Sequence, residues 1–264
     1  PTLSDQPNRV LIEPARGWAS LGLRELAEYG ELLYFLVWRD IKVRYKQTLL
    51  GLAWAVIQPL FTTLILTVFF GTLAGIGPQD GSYPLWCLCG AVIWTFFATG
   101  LAQAAQSLVG SAALIRKVYF PRLVVPLAAI LAGLPDFLVA LALLLLALLG
   151  WGSVPPLQVL CLPAFFLLAL AGCLGAGCWL AALNARFRDI RFTVPFLVQS
   201  WMFCTPLAYE SKLVAPAWQP LYGLNPMSVV VEGFRWCLLG KPEPSPTLLL
   251  VNGLVALLLL GSGL

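Results

Sequence analysis

An all-α integral membrane fold is predicted: six crossing helices, an amphipathic helix before them, and a re-entrant helical hairpin before the last span. Three observations predict it. The 264 residues are 60% apolar and only 11% charged, where a soluble domain is nearer one quarter charged. Apolar runs long enough to cross a bilayer alternate with short basic loops. The stretch 200–240 is as apolar as those runs but is interrupted by Pro206, Pro216, Pro220 and Pro226, each of which removes a backbone donor.

Residues 1–48 form a cytoplasmic segment ahead of a membrane domain at 49–264. Residues 1–20 are Pro-rich and polar, with no basic-then-apolar pattern, so no cleavable signal peptide is predicted and the first residue, Pro1, implies a trimmed start. Residues 21–38 predict an amphipathic helix. Arg24, Glu25, Glu28 and Glu31 recur on one face, and Leu23, Leu26, Leu33 and Val37 on another. Such a helix lies in the membrane surface or docks on a partner.

The run WRDIKVRYKQ at 38–47 then carries Arg39, Lys42, Arg44 and Lys46 against Asp40. It marks the cytoplasmic side of the first span. The six spans are predicted at 49–75, 84–109, 123–150, 157–183, 192–209 and 247–264. Thirteen of the sixteen Lys and Arg fall in 1–48, 110–122 and 184–191, against Lys212, Arg235 and Lys241 elsewhere. That asymmetry places the N-terminus in the cytoplasm and the hairpin outside. The sequence ends within a predicted span with no basic stop, which predicts a cytoplasmic tail beyond Leu264.

Within the hairpin, 211–240, Asn225-Pro226 is a strong helix start and Gly240 a natural stop. About 14 residues at ~1.5 Å each span only ~21 Å, short of the ~30 Å hydrocarbon core. Glu232 and Arg235 lie inside that helix. Charges at mid-span cost about 2.5–3.5 kcal/mol each, against gains of about 0.3–0.6 per Leu or Val. The helix therefore enters without crossing, and broken backbone at that depth must be buried in protein or line a watery path. The stretch is a candidate outer gate, with Glu232 and Arg235 on one face as an ion pair that is structural or switches partners.

The loop 110–122 holds Leu114, Ile115, Arg116, Lys117, Val118, Tyr119 and Phe120. It is basic yet too apolar for a merely solvated anchor, so it is read as a docking helix for a cytoplasmic motor. Aromatic residues crowd the outer half. Tyr83, Trp86, Trp94 and Tyr209, with Trp218 and Tyr222 in the hairpin, are candidates to stack on sugar rings as well as belt residues. Asp136, near the middle of the third span, fits a helix-to-helix hydrogen bond better than a proton relay.

Several classes drop out. There is no His, hence no usual general base or commonest metal ligand. The seven Cys show no CxxC spacing and read as packing thiols. No Walker-type phosphate loop is present, so the chain shows no means of binding ATP. No catalytic set or metal cluster appears, and no cofactor is expected in this chain. A membrane glycosyltransferase or ligase would need clustered outer carboxylates, but Asp80, Glu210 and Glu243 are scattered.

Three segments carry a family resemblance: WRDIKVRYKQTLLGLAWAVIQPL (38–60), LNARFRDIRFTVPFLVQSWMFCTPLAY (183–209) and LYGLNPMSVVVEGFRW (221–236). In this order they resemble the membrane permeases of ABC-2-type polysaccharide exporters, most closely those for O antigen. Capsule and teichoic-acid exporters are near relatives, and small-molecule ABC-2 exporters are a rival within the class. The resemblance implies a two-fold homodimer in the bacterial inner membrane. Two cytoplasmic ATPase subunits would bind ATP and Mg. The substrate would be a lipid-linked polysaccharide, with membrane lipid and no nucleic acid as further partner. It implies that 110–122 is a coupling helix and that 21–38 lies at the interface beside the ATPase. It also implies two short periplasmic gate helices at 213–224 and 226–239, and an aromatic-lined channel between protomers. The Tyr209-Glu210-Ser211-Lys212 turn departs from the apolar, Pro-bearing turn of the family.

Overall fold

The computed structural model describes residues 29–46, 51–75, 82–215, 218 and 222–263, and all regular structure among them is helical. Five helical segments are long and apolar enough to cross a membrane: Ala53–Leu73, Tyr83–Gly110, Val124–Gly150, Leu157–Arg186 and Pro246–Gly263. They correspond to the first four and the last of the predicted spans. The protein is a multi-pass membrane protein.

Helix α1 covers Gly30–Lys46; the predicted helical residues before it lie outside the described set. It does not stop at Trp38. The basic run continues it, because that run lacks Gly and Pro and extends the inward stripe of Leu33, Leu36 and Val37 through Ile41 to Arg44 and Tyr45. Helix α2 (Ala53–Leu66) tolerates Pro59 and runs into a π-helical stretch, Thr67–Leu73. Gly71 sits where this stretch meets Tyr83: a Cβ there would lie 2.5 Å from the Tyr83 ring.

Helix α3 (Tyr83–Gly110) is the axis of the bundle. Its 28 residues extend ~42 Å, and most of the other long helices pack against it, Gly30–Lys46 and Pro246–Gly263 being set outside that ring. The end at Tyr83 is termed upper and the end at Gly110 lower. A short helix α4 (Ala112–Ile115) caps the lower end. The third span is split into α5 (Val124–Leu131) and α6 (Leu134–Gly150). Pro135 cannot donate to Leu131, and the chain turns at Ala132–Gly133 instead.

The chain descends again through a 3₁₀ turn, Leu157–Cys161, and α7 (Leu162–Arg186). Near the lower end Asn184 Nδ2 donates to the Ala105 carbonyl at 2.8 Å. Helix α8 (Ile190–Phe203) climbs back but ends after 14 residues, six short of the predicted Tyr209. Helix α9 is Pro226–Leu239 and α10 is Pro246–Gly263. Small residues set the spacing of α7: a Cβ on Gly175 would meet backbone atoms of Leu259 and Leu260 at 2.6 Å, and one on Gly177 would meet Ala104 Cβ at 2.7 Å. Where lipid supplies no hydrophobic drive between helices, such close approach supplies the packing. Five of the seven thiols are buried, Cys161 and Cys204 being the exposed pair, as expected of packing residues.

Candidate functional site

The depth of α9 follows from its contacts. Trp201, near the top of α8, packs edge-on to Phe97 at 5.1 Å and donates Nε1–H to Asn225 Oδ1 at 2.8 Å. Phe97 lies 14 residues along α3, ~21 Å from its upper end and half its length. Pro226 packs on Gly172, well inside α7, where a Cβ would be 3.3 Å from the proline. From that level α9 rises: Trp236 reaches Phe165 at 6.2 Å, and Gly240 faces Pro156. The helix starts at mid-bundle and ends at the upper end, antiparallel to α7.

Its ends are those the sequence predicts. Asn225 caps it by accepting from the Met227 N–H at 3.0 Å, Pro226 opens the first turn, and Gly240 stops it with φ +62°. Eleven of its fourteen residues are buried. Protein, not lipid, surrounds it, as backbone ending at that depth requires.

The stretch 204–209, between α8 and the hairpin, is the other half of the site. Thr205 and Pro206 end α8, and the chain continues without a helical ladder to Ala208, which meets Tyr83 at the upper end. Its carbonyls find side chains. Cys204 O accepts from Asn225 Nδ2 at 3.1 Å, Leu207 O from Arg235 Nη2 at 3.1 Å, and Ala208 O from the Tyr83 hydroxyl at 2.8 Å. Asn225 also donates to Thr205 Oγ1 at 3.0 Å. Side chains of α9, its cap residue Asn225 and Tyr83 of α3 thus supply donors to carbonyls left without a helical ladder beyond the end of α8.

Arg235 is 3% exposed. Its Nε donates to Trp86 O at 3.2 Å, and its guanidinium carbon lies 3.2 Å from the centroid of the Trp86 ring. Trp86 stacks in turn on Tyr83, centroids 5.6 Å apart. Gly90 makes room, since a Cβ there would lie 3.0 Å from both Arg235 Nη2 and Leu207. Arg235 thus holds two carbonyls and a ring, and Glu232, one turn earlier, is half-buried. On the far side Asn252 of α10, 0% exposed, donates to Gly223 O at 2.6 Å and accepts from the Val229 N–H at 3.4 Å. Nothing in the sequence singled out Asn252, although one Asn in an apolar run is such a signal.

The remaining site residues scatter. Tyr83, Trp86 and Trp94 are buried, Tyr209 and Tyr222 half-buried, and Trp218 exposed. Of the first predicted gate helix, 213–224, residues 216, 217 and 219–221 lie outside the described residues. At the lower end Phe120 is 6% exposed and joins Leu36, Val124, Val125 and Ala128 in a second apolar cluster, on which Leu114 and Ile115 pack. This cluster seats α1 against the loop. Arg116, Lys117, Val118 and Tyr119 remain exposed, the last two at 52% and 66%.

Asn225→Ala is expected to lower stability by about 2–3 kcal/mol, a lost cap plus an orphaned Cys204 carbonyl. Asn225→Asp, which keeps the cap but loses the amide donors, should fall between. Thermal unfolding in detergent checks the order.

Residues 31–239 match the family described as ABC-2 type transporter. The O-antigen export system permease protein RfbA of Myxococcus xanthus is 29% identical over 215 residues, covering 81% of this chain and 82% of the relative. Proteins of the same description from Klebsiella pneumoniae are 27% and 26% identical over 206 residues, 78% of this chain and 79% of theirs. With a match over well more than half its length, the chain belongs to the ABC-2 type transporter family.

Proposed function

We propose that this chain is the permease subunit of an ABC transporter that exports a lipid-linked polysaccharide, O antigen or a similar polymer, across the bacterial inner membrane. It works as a homodimer with two cytoplasmic ATPase subunits, which bind ATP and Mg. The observation that carries the reading is the family match together with relatives described as O-antigen export permeases. In the membrane the chain has six spans with a cytoplasmic N-terminus. The fifth is α8 continued by 204–209, and the hairpin 211–240 re-enters from the outside. Support comes from the mid-bundle start of α9 and from the side chains that complete the broken fifth span.

The mechanism has three parts. Closure of the ATPase subunits pushes on the exposed Arg116–Tyr119 segment. The protomers move about their interface. Helix α9 then withdraws from α3, which uncovers Tyr83, Trp86 and Trp94 beside Tyr209, Trp218 and Tyr222 and opens an aromatic path for sugar rings. A long polymer requires a continuous channel fed stepwise.

Reconstitution with the partner ATPase in liposomes tests the reading. ATP-dependent movement of lipid-linked glycan is expected. No movement, or ATPase stimulation by lipophilic compounds alone, would remove it in favour of a small-molecule exporter. For the coupling segment, Arg116→Glu with Lys117→Glu should abolish co-purification of the ATPase. Stability should change by no more than about 0.5 kcal/mol, since both side chains are exposed.

A further inference from the structure

The split in the third span is bridged from outside. Arg44 Nη1 lies 2.5 Å from Asp136 Oδ2, in the first turn of α6, and 3.4 Å from the carbonyl of Ala132, where α5 ends. The Tyr45 hydroxyl donates to Asp136 Oδ1. Burial, then the bond to Asp136, raises the Tyr45 pKa, so the phenol stays protonated and keeps its donor role. These groups line a cleft of about 110 Å³ with Trp54, Gln58, Thr95 and Thr99. The other half of α1 is fixed to α5 and the lower loop by the cluster around Leu36 and Phe120.

One helix is thus tied at two points. Its first half holds α5 and the loop, and its last turn holds both sides of the Ala132–Gly133 turn. Apolar contacts alone would let α1 slide on α5. One charged nitrogen, Nη1, shared between a carboxylate and a carbonyl fixes register and direction.

We propose that Arg44, Tyr45 and Asp136 form a positioning latch that carries motion of the lower loop across the Ala132–Gly133 turn into α6. This rests on the exporter reading above, in which the loop receives the push.

The test uses the full complex with its ATPase in liposomes. Variants are Asp136→Asn, Arg44→Gln, Tyr45→Phe and the exchange Arg44→Asp with Asp136→Arg. Lipid-linked glycan moved per ATP hydrolysed is expected to fall about tenfold in Asp136→Asn and Arg44→Gln, the scale of a conformational coupling. It should fall less in Tyr45→Phe and recover in the exchange. Unchanged ratios would overturn the latch, and so would parallel loss of hydrolysis and transport or failure to assemble, which mark a purely structural pair. Spin labels at positions 38 and 146 give a second readout. Nucleotide trapping should change their separation in the wild type and not in Asp136→Asn; the same change in both would overturn the latch. If the wild type moves no glycan but the labels behave as expected, the exporter reading fails and the latch stands.

Discussion

Arg235→Ala is expected to lose about 3–5 kcal/mol of stability and all export, the scale seen when a buried charged group is deleted and its partners are left behind. Two carbonyls, Trp86 O and Leu207 O, would lose a charged donor. Hydrogen bonds of that kind contribute about 1.5–3 kcal/mol each, and a desolvated cation over an indole contributes about 2 kcal/mol more. Against this stands the cost of burying the cation, several kcal/mol before pairing. Arg235→Met separates the terms. It fills the volume and removes the buried charge, so stability should fall less than for Ala, while the non-helical stretch 204–209 stays unbraced and loss of export is still expected. Arg235→Lys should not rescue, because an ammonium cannot fork to two carbonyls and lie flat on a ring. Thermal unfolding and glycan transport, measured on the same preparations, check all three.

What made Arg235 legible, and what hid its partners, are different things. Its presence in a helix too short to cross, opened by Asn225-Pro226 and closed by Gly240, was readable because caps are local chemistry. The two backbone carbonyls it holds were not, because a sequence does not say which carbonyls lose their helical donors. The same limit applies to α8. Pro206 signalled a break, yet the end of the helix at Phe203 depends on Asn225 and Arg235, 22 and 32 residues later, satisfying the carbonyls beyond it. Asp136 was readable as an acid in a predicted span, suited to a helix-to-helix hydrogen bond. Its donor, Arg44, looked like one charge of a topology signal, and only the continuation of α1 through the basic run brings it 92 positions away to the third span. Phe120 was read as part of a docking face because apolar residues in a basic loop imply a contact; the contact is with α1 in the same chain. The order of the long spans needed none of this, since hydropathy and basic loops are properties of single segments.

Gly175→Val should disrupt the contact of α7 with α10. The added Cβ would lie 2.6 Å from the backbone of Leu259 and Leu260, and neither helix can relieve it by changing a rotamer. The axes must separate, with a loss of about 3 kcal/mol or more, at the high end for overpacking. The Asn252 bonds to Gly223 and Val229 go with it, since they depend on the seating of α10. Gly253→Val is the control: a Cβ there meets nothing within 4 Å and should leave stability within about 0.5 kcal/mol. Monodispersity and melting temperature in detergent distinguish the two.

In the proposed topology the chain crosses at 190–209, dips to mid-bundle and returns to the side it left. Single cysteines at positions 188, 210 and 243, in a background with Cys161 and Cys204 replaced by Ser, test it most directly with an impermeant maleimide. Labelling is expected at 210 and 243 from outside intact spheroplasts, and at 188 only after permeabilisation. Labelling of 210 and 243 from opposite sides would contradict it.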